Sequence, residues 1–260
     1  NGYRAMSTSV GAANVLAFDP LSNGNGMNCP TNPHPALGSQ TYLWGYTCGG
    51  GGGTSMAGVS CTDQMDNINL GSVFNMAFGS YFGNWNGGDS YLRSYLLSGK
   101  GLTNAWAGTL NWWVQHMSMG KTIGYSTQVT MNNRIKNMYQ PLRATSWGGD
   151  NKDSYITLLG DPTLTLFQVA PPSNLAVSNS GGKLKFDWSA SSESGLAGYH
   201  VYEIGTNEIT RITSTPVSGT SFTSSVNFAS GKKFMVRAVK LQITKSGSYF
   251  NQSLGAIKSN

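Results

Sequence analysis

Apolar positions in the first 170 residues fall in short blocks that predict strands and helices in alternation. Residues 41–47 and 72–78 are rich in β-branched and aromatic side chains, which favours buried strands. Residues 91–97 instead place apolar side chains at the i, i+3, i+4 spacing of an amphipathic helix. Residues 101–108 then predict a third strand, and residues 112–119 a second helix. This alternation is typical of an α/β fold, with a mainly parallel sheet and flanking helices.

The carboxyl ends of these three predicted strands are where a site is expected, because ligands of such sheets bind at that edge. Cys48 ends the first strand and is followed by five glycines, which break the strand and allow close approach of a ligand. The same edge holds the residues that follow the second and third strands. The candidate catalytic residues there are Cys48 and Ser80, and the candidate binding residues are Gly49, Gly50, Trp106 and Gly108.

Two histidines are candidate bases for such a site. His116 shares a face of the second predicted helix with Trp112, so it is either a packed or capping histidine or a base. His34 lies between two prolines in a segment rich in Asn, Gly and Pro. It is either an exposed loop residue or a residue with a ligand or base role. We include His116 among the candidate catalytic residues.

The C-terminal third of the chain has a different pattern. Two prolines mark residues 170–173 as a linker between a domain at 1–169 and a second domain at 174–260. Alternating apolar residues in that second domain, such as Leu184, Phe186 and Trp188, are separated by Gly/Ser/Asn turns about every ten residues. This pattern predicts an antiparallel β-sandwich.

The composition is that of a secreted or cell-surface protein. Charged residues are only 11% of the chain, Gly accounts for 34 of 260 residues, and the net charge of +6 includes no run of Lys or Arg. Clustered cations are needed to bind phosphates, so nucleic acid is not an expected partner. No apolar stretch approaches the ~20 residues of a membrane span. Because the chain opens on Asn1 without a signal peptide, we expect the first domain to be N-terminally incomplete.

Three cysteines allow one disulfide and one free thiol, with three possible pairings. Pairing Cys29 with Cys61 would join the loops around the glycine run and leave Cys48 free, and this is the arrangement that we predict. No Cys-x-x-Cys or His-x-x-x-His pair is present, so we predict no zinc site. We predict no cofactor, because no Gly-Lys-Ser/Thr follows the glycine run.

Four segments occur in the order found in the C-terminal half of gingipain-type cysteine peptidases. They are Gly45-Tyr46-Thr47-Cys48-Gly49, residues 73–78, residues 102–107 and Gly160-Asp161-Pro162. The first domain resembles that family over residues 41–168, which implies a caspase-like α/β fold. Residues 171–260 resemble a fibronectin type III module, with Trp188 as the core tryptophan of its second strand. Phe234 stands where that family usually has a tyrosine.

The resemblance to gingipains places the catalytic histidine of the family on Cys48 and its nucleophilic cysteine on Phe78. Phenylalanine is neither nucleophile nor base. A register shifted by two brings Ser80 to the nucleophile position. An alternative alignment makes Cys48 the nucleophile, with a base from His34, His116 or an absent segment.

Two functions follow from these alignments. The favoured one is a secreted or cell-surface bacterial protein whose degenerate peptidase-like domain serves as an extracellular binding or structural module. Its partner would be a protein or peptide, including other segments of its own longer precursor. The alternative is an active gingipain-like cysteine peptidase with Cys48 in the active site.

Overall fold

The computed structural model describes residues 10, 12–18, 29–84, 86–107, 112–136, 156–245 and 247–260. The chain forms two compact units, Asn1–Leu166 and Phe167–Asn260. Among the described residues, no helix has both the length and the apolar character needed to cross a bilayer.

The strands of the N-terminal unit are β1 (Tyr42–Cys48), β2 (Ser55–Met56), β3 (Ser60–Cys61), β4 (Ser72–Phe78), β5 (Thr103–Ala107) and β6 (Ile156–Gly160). Four of them form one sheet in the order β1-β4-β5-β6, while β2 and β3 form a short hairpin. The predicted strands at 41–47, 72–78 and 101–108 are confirmed. The first two are neighbours in parallel, with Trp44 opposite Phe74, and β5 is parallel to β4. Strand β6 runs antiparallel to β5, which the sequence pattern did not indicate.

The α-helices of this unit whose bounds lie within the described residues are α1 (Thr62–Met65), α2 (Tyr91–Leu97) and α3 (Ile123–Lys136). Helix α2 confirms the prediction for residues 91–97, and it buries Tyr91, Leu92 and Tyr95. The helix predicted over residues 112–119 is wrong. Only Gln115–Met119 is helical, as a 3₁₀ turn that ends at Gly120 in the left-handed region (φ 84°). Helix α3 was not predicted.

Side chains pack against both faces of the four-stranded sheet. Neighbouring residues of a strand point to opposite faces, and β4 contributes Ala77 to one cluster and Met76 to another. The first cluster includes Met65, Leu70, Phe82, Leu92 and Tyr95. The second consists of Met76, Ala105, Trp112 and Val114, with Val15, Trp44, Tyr46 and Leu158 partly buried against it.

One disulfide joins Cys29 to Cys61, and Cys48 is the free thiol. The predicted pairing is therefore confirmed. The bond connects the chain before β1 to strand β3. The partner of β3, strand β2, bridges the glycine run that follows Cys48, with Met56 opposite Gly51.

The C-terminal unit contains β7 (Ser173–Ser180), β8 (Lys183–Ser189), β9 (Leu196–Ile204), β10 (Ile209–Arg211), β11 (Ser221–Asn227), β12 (Lys233–Thr244), β13 (Gly247–Gln252) and β14 (Ala256–Ser259). Strands β11-β8-β7 form one antiparallel sheet. Strands β10-β9-β12-β13 form the other, with β14 also paired to β12. Alternate residues of both sheets meet in one core, where Trp188 is 6% exposed and stands edge-on to Tyr199.

The prediction of an α/β, caspase-like fold is wrong for this chain. Strand makes up 40% of the structure and helix 16%, and the antiparallel sheets contain most of the strands. Even the sheet with parallel pairs is mixed, because β6 reverses direction beside β5. The alternation in the first 170 residues suggested more helix than forms, since one of the two predicted helices is only a 3₁₀ turn.

Candidate functional site

A cavity of about 410 Å³ opens beside β1, at one edge of the four-stranded sheet. Every residue of β1 contributes to its wall, and the rest comes mainly from residues 14–18, His34, Leu37 and Val59. Ligand pockets range from about 300 to 1,000 Å³, so this cavity has the size of a binding site. It is the candidate functional site of the N-terminal unit.

The wall of the cavity is aromatic and uncharged. None of its described residues is Asp, Glu, Lys or Arg, and four are Phe18, Tyr42, Trp44 and Tyr46. The ring of Phe18 stands edge-on to both His34 and Tyr42, with centroid distances of 6.0 and 6.4 Å. Such a wall favours apolar or aromatic groups with a few polar atoms.

The aromatic residues of β1 alternate along the strand. Tyr42, Trp44, Tyr46 and Cys48 share one face by the period of two of a strand. The sequence interpretation singled out only Cys48 from this series. The other three could have been identified from the sequence, because aromatic residues occupy every second position of the strand before Cys48.

Cys48 lies at the end of β1, opposite Phe78 on β4, and lines the cavity. The residue as a whole is exposed, but protein atoms partly surround its sulfur. The resulting desolvation raises the pKa of the thiol, and this effect is larger than the lowering of the pKa by a hydrogen bond with Tyr46. Burial also raises the pKa of Tyr46, and the nearby thiolate adds to that shift. The thiol is therefore a poorer nucleophile at neutral pH than an ordinary cysteine.

His34 lines the same cavity as Cys48. Its Nδ1 accepts a hydrogen bond from the backbone N–H of Ala36 at 3.1 Å, and the backbone N–H of His34 donates to the carbonyl oxygen of Val59 at 2.6 Å. A neutral imidazole has only one nitrogen lone pair that accepts hydrogen bonds. Because Nδ1 uses that lone pair, Nε2 carries the ring proton. His34 in this state can donate from Nε2 but cannot act there as a base.

The other two candidate catalytic residues lie apart from the cavity. Ser80 is exposed on the loop after β4, next to Gly51 of the glycine run. His116 lies in the 3₁₀ turn, edge-on to Tyr125 at 5.4 Å, and does not line the cavity. Burial lowers the pKa of His116, and the positive charge of Lys121 adds to the shift. Cys48 and His34 are thus brought to one cavity, and Cys48 and His116 are not.

The glycines after Cys48 pack against neighbouring backbone. A Cβ on Gly49 would collide with the carbonyl oxygen of Ala57, and one on Gly51 with the carbonyl oxygen of Ser80. The carbonyl oxygen of Gly50 accepts a hydrogen bond from the N–H of Ala57 at 2.9 Å. Close backbone packing accounts for these glycines.

Trp106 of β5 is also held by the loop after β4. Its indole N–H donates to the carbonyl oxygen of Gly79 at 2.9 Å, and its ring would meet a Cβ on Gly83 at 2.8 Å. The side chain packs on the cluster that contains Phe82 and Tyr95. Gly108, the remaining candidate binding residue, lies outside the described residues.

A chain of hydroxyl groups connects β1 to α2 and β3. Thr47 Oγ1 is 3.0 Å from the hydroxyl oxygen of Tyr95. The Tyr95 hydroxyl is 3.3 Å from the Tyr91 hydroxyl, and the Tyr91 hydroxyl is 2.7 Å from Ser60 Oγ. Burial raises the pKa of both tyrosines, so the hydroxyls stay protonated. These bonds hold β1 in place and satisfy polar atoms in the core.

One group of possible metal ligands occurs among the described residues. The ligand atoms of Cys29, Cys61 and Asp63 lie within 4.8 Å of one another. Both sulfurs are already joined in the disulfide, so neither is available as the thiolate that a metal would bind.

The C-terminal unit is an antiparallel β-sandwich, as the alternation of apolar residues predicted, and its strand order is similar to that of a fibronectin type III module. Its three-stranded sheet and its larger sheet around β9 and β12 enclose a single core. Trp188 on the second strand of the unit occupies that core, and Phe234 is fully buried beside Phe186.

No protein-family model matches the chain, and no curated protein matches its sequence. The solved structures to which the chain is similar include an Fn3-like protein from Clostridium thermocellum. The two share 21% sequence identity with a TM-score of 0.25, and the match covers 35% of this chain and 88% of that protein. An FN3 domain of human collagen XX matches at 14% identity and TM-score 0.25, over 36% of this chain and 95% of that domain. Similarities with such TM-scores carry no argument about this chain.

A structure titled as a protease matches 82% of this chain and 54% of its own, at 9% identity and TM-score 0.36. At these values it establishes neither a shared fold nor a shared activity. No comparison therefore supports a gingipain-like or caspase-like domain over residues 41–168.

Proposed function

We propose that this is an extracellular or cell-surface protein, and that its N-terminal unit binds a protein or peptide partner without cleaving it. The cavity beside β1 is the binding site in this proposal. The fibronectin type III-like unit serves as an accompanying structural or binding module. The low content of charged residues and the disulfide support a location outside the cytosol.

The observation that carries the non-catalytic assignment is the state of His34. A cysteine nucleophile needs a base within reach of its thiol. His34 is the histidine that lines the cavity with Cys48, and its lone pair at Nδ1 is used by Ala36. Desolvation meanwhile keeps the thiol of Cys48 protonated.

A cysteine peptidase using Cys48 is the second candidate. Its support is that Cys48 and His34 share one cavity. This function requires the imidazole to release Ala36 and present Nε2 as a base when substrate is bound.

Two measurements on the full chain separate the candidates. The first is hydrolysis of a positional-scanning library of internally quenched peptides. We expect no hydrolysis that depends on Cys48. Cleavage that is lost in both Cys48→Ala and His34→Gln would establish the peptidase instead.

The second measurement is retention of the chain on an immobilised array of random-sequence dodecapeptides. Ala17 is exposed and lines the cavity, so Ala17→Trp fills it without disturbing a core. We expect retention by the wild type, Ala17→Ser and Cys48→Ala, and its loss in Ala17→Trp, with thermal unfolding as the check on folding. Retention that is unchanged in Ala17→Trp places the partner elsewhere and contradicts the proposal.

A further inference from the structure

We propose that the cavity takes an uncharged polypeptide segment in extended conformation, which adds to the open edge of β1 as a further strand. This inference rests on the proposed function and specifies the chemistry of its partner. It follows from the backbone groups that face the cavity and from the charge of its wall.

Among the residues that the structure describes, strand β1 pairs along only one of its two edges. It pairs with β4 and stands at the end of the sheet order. In a parallel ladder, alternate residues direct their N–H and C=O groups toward a given neighbour. The remaining residues direct these groups to the opposite edge.

The hydrogen bonds at the end of the ladder identify the outward residues. The N–H of Gly49 donates to the carbonyl oxygen of Phe78 at 3.1 Å, and the register is continuous from Trp44 to Cys48. The phase changes before Trp44, because the N–H of Tyr42 donates to the carbonyl oxygen of Gly71 at 3.0 Å and the register skips residue 43. By alternation along the ladder, the backbone N–H and C=O groups of Thr47 and Gly45 therefore face β4, as those of Gly49 do. On the far side of β4, the N–H of Leu102 donates to the carbonyl oxygen of Val73 at 2.9 Å, which agrees with this phase.

The backbone groups of Trp44, Tyr46 and Cys48 consequently face the open edge. All three residues line the cavity, and no described residue bonds to their outward N–H or C=O groups. Partly buried backbone donors and acceptors are costly to leave unpaired, and an open strand edge is a template for another strand. Such an edge recognises the backbone of an extended peptide.

The charge of the wall selects the kind of peptide. Because the described lining residues include no Asp, Glu, Lys or Arg, a charged side chain in the cavity would lose its hydration without gaining an opposite charge. Trp44 to Cys48 span about 13 Å at the rise of a strand. That length pairs with roughly five residues of a partner. The occupant is therefore a short uncharged segment with apolar side chains.

Fluorescence anisotropy with capped heptapeptides tests the mode of binding. The probe is a labelled acetyl-Ser-Val-Thr-Val-Ser-Val-Thr-amide, and the comparison is between two N-methylated versions of it. One is methylated at its odd positions and the other at its even positions. Strand addition uses the N–H groups of only one set. Loss of two or three hydrogen bonds should weaken binding by about 10-fold or more in one version and leave the other near the parent.

Amide hydrogen exchange gives an independent readout on the full chain. We expect the amides of Trp44, Tyr46 and Cys48 to exchange fast alone and at least about 10-fold more slowly with saturating peptide. Gly45 and Thr47 are internal controls, because their amides bond to β4 with or without peptide. A version of the peptide with Lys in place of each Thr should bind more weakly.

Each contrary result overturns the strand proposal. Equal binding of both methylated versions shows side-chain recognition only, while the proposed binding function stands. Stronger binding of the Lys version removes the charge argument. Protection of the three amides without peptide that grows with protein concentration makes a second copy of this chain the occupant. If the neutral peptide fails to bind at about 1 mM while the dodecapeptide array retains the chain, only the strand proposal fails. If neither binds, both proposals fail.

Discussion

The Nδ1 atom of His34 accepts the backbone N–H of Ala36 at 3.1 Å, so the lone pair of that nitrogen is used within the loop of His34. The same histidine lines the cavity that contains Cys48. The first prediction follows from this use of Nδ1.

The thiol of Cys48 should react slowly with iodoacetamide at neutral pH. Burial raises its pKa, so the thiolate fraction is smaller than for an ordinary cysteine, whose pKa is about 8.5. The alkylation rate should rise only at a higher pH than that of N-acetylcysteine. His34→Gln should leave the rate within about twofold of wild type, and Cys48→Ala is the blank. Selective labelling of Cys48 at about pH 6 would show an activated thiolate and contradict the prediction.

Gly51→Ala should destabilise the N-terminal unit by about 1–3 kcal/mol, because the new Cβ collides with the carbonyl oxygen of Ser80. Gly88→Ala is the matched control, since a Cβ there meets nothing within 4 Å. Its free energy of unfolding should change by about 0.5 kcal/mol or less. Urea unfolding measures both variants, and equal values would show that the glycine run does not pack as described.

Tyr91→Phe should cost about 1–3 kcal/mol of unfolding free energy. The fully buried hydroxyl bonds to Ser60 Oγ at 2.7 Å, and its removal leaves that atom without this partner. Tyr81→Phe, at an exposed position, should be near neutral. In a double-mutant cycle, Ser60→Ala combined with Tyr91→Phe should cost less than the sum of the single changes. Additive costs would mean that the two hydroxyls are not coupled.

Glu193→Gln should lower the melting temperature of the C-terminal unit at pH 7 and have little effect near about pH 2. The hydrogen bond from Lys240, followed by that from the N–H of Ala170, lowers the pKa of Glu193. A lowered pKa contributes stability above the unfolded value of about 4.3, and this is lost as the pH falls through the folded value. Glu208→Gln, at an exposed position of the same unit, is the control. An equal effect of Glu193→Gln at both pH values would contradict the linkage.

The elements that sequence reasoning found are those whose burial follows a simple period. Strands β1 and β4 are short and mostly apolar or aromatic, and α2 places Leu92 and Tyr95 on one buried face. Trp188 likewise follows the alternation of the sandwich. Local pattern was sufficient in these cases, because the residues that pack are also the residues that are apolar.

Other elements depend on packing that the pattern does not show. Helix α3 buries Ile123 and Val129 but also Ser126 and Thr130, whose hydroxyl groups make its buried face look polar. Thr130 Oγ1 donates to the carbonyl oxygen of Ser126 at 2.7 Å, which makes that burial tolerable. The direction of β6 is set by its pairing with β5 over a long sequence separation, and no local signal specifies it.

The candidate site was only partly predictable for the same reason. Cys48 stood out because a glycine run follows it. The role of His34 depends on which nitrogen meets the backbone of Ala36, which is a matter of three-dimensional geometry. The open edge of β1 depends on the order of strands in the sheet.

Strand β12 determines how the C-terminal unit must fold. Its pairing with β9 joins residues that are far apart in the sequence. The separation is 29 positions for Lys233 and Ile204, and it rises to 44 for Lys240 and Leu196. Loop-closure entropy must be spent before these distant contacts form, which places such sandwiches among the slow two-state folders, at milliseconds to seconds. The buried pair Val201 and Val236 lies at the centre of this pairing, and we expect it to belong to the folding nucleus. Truncating either side chain should then slow folding more than it speeds unfolding, as measured by the two arms of a chevron plot.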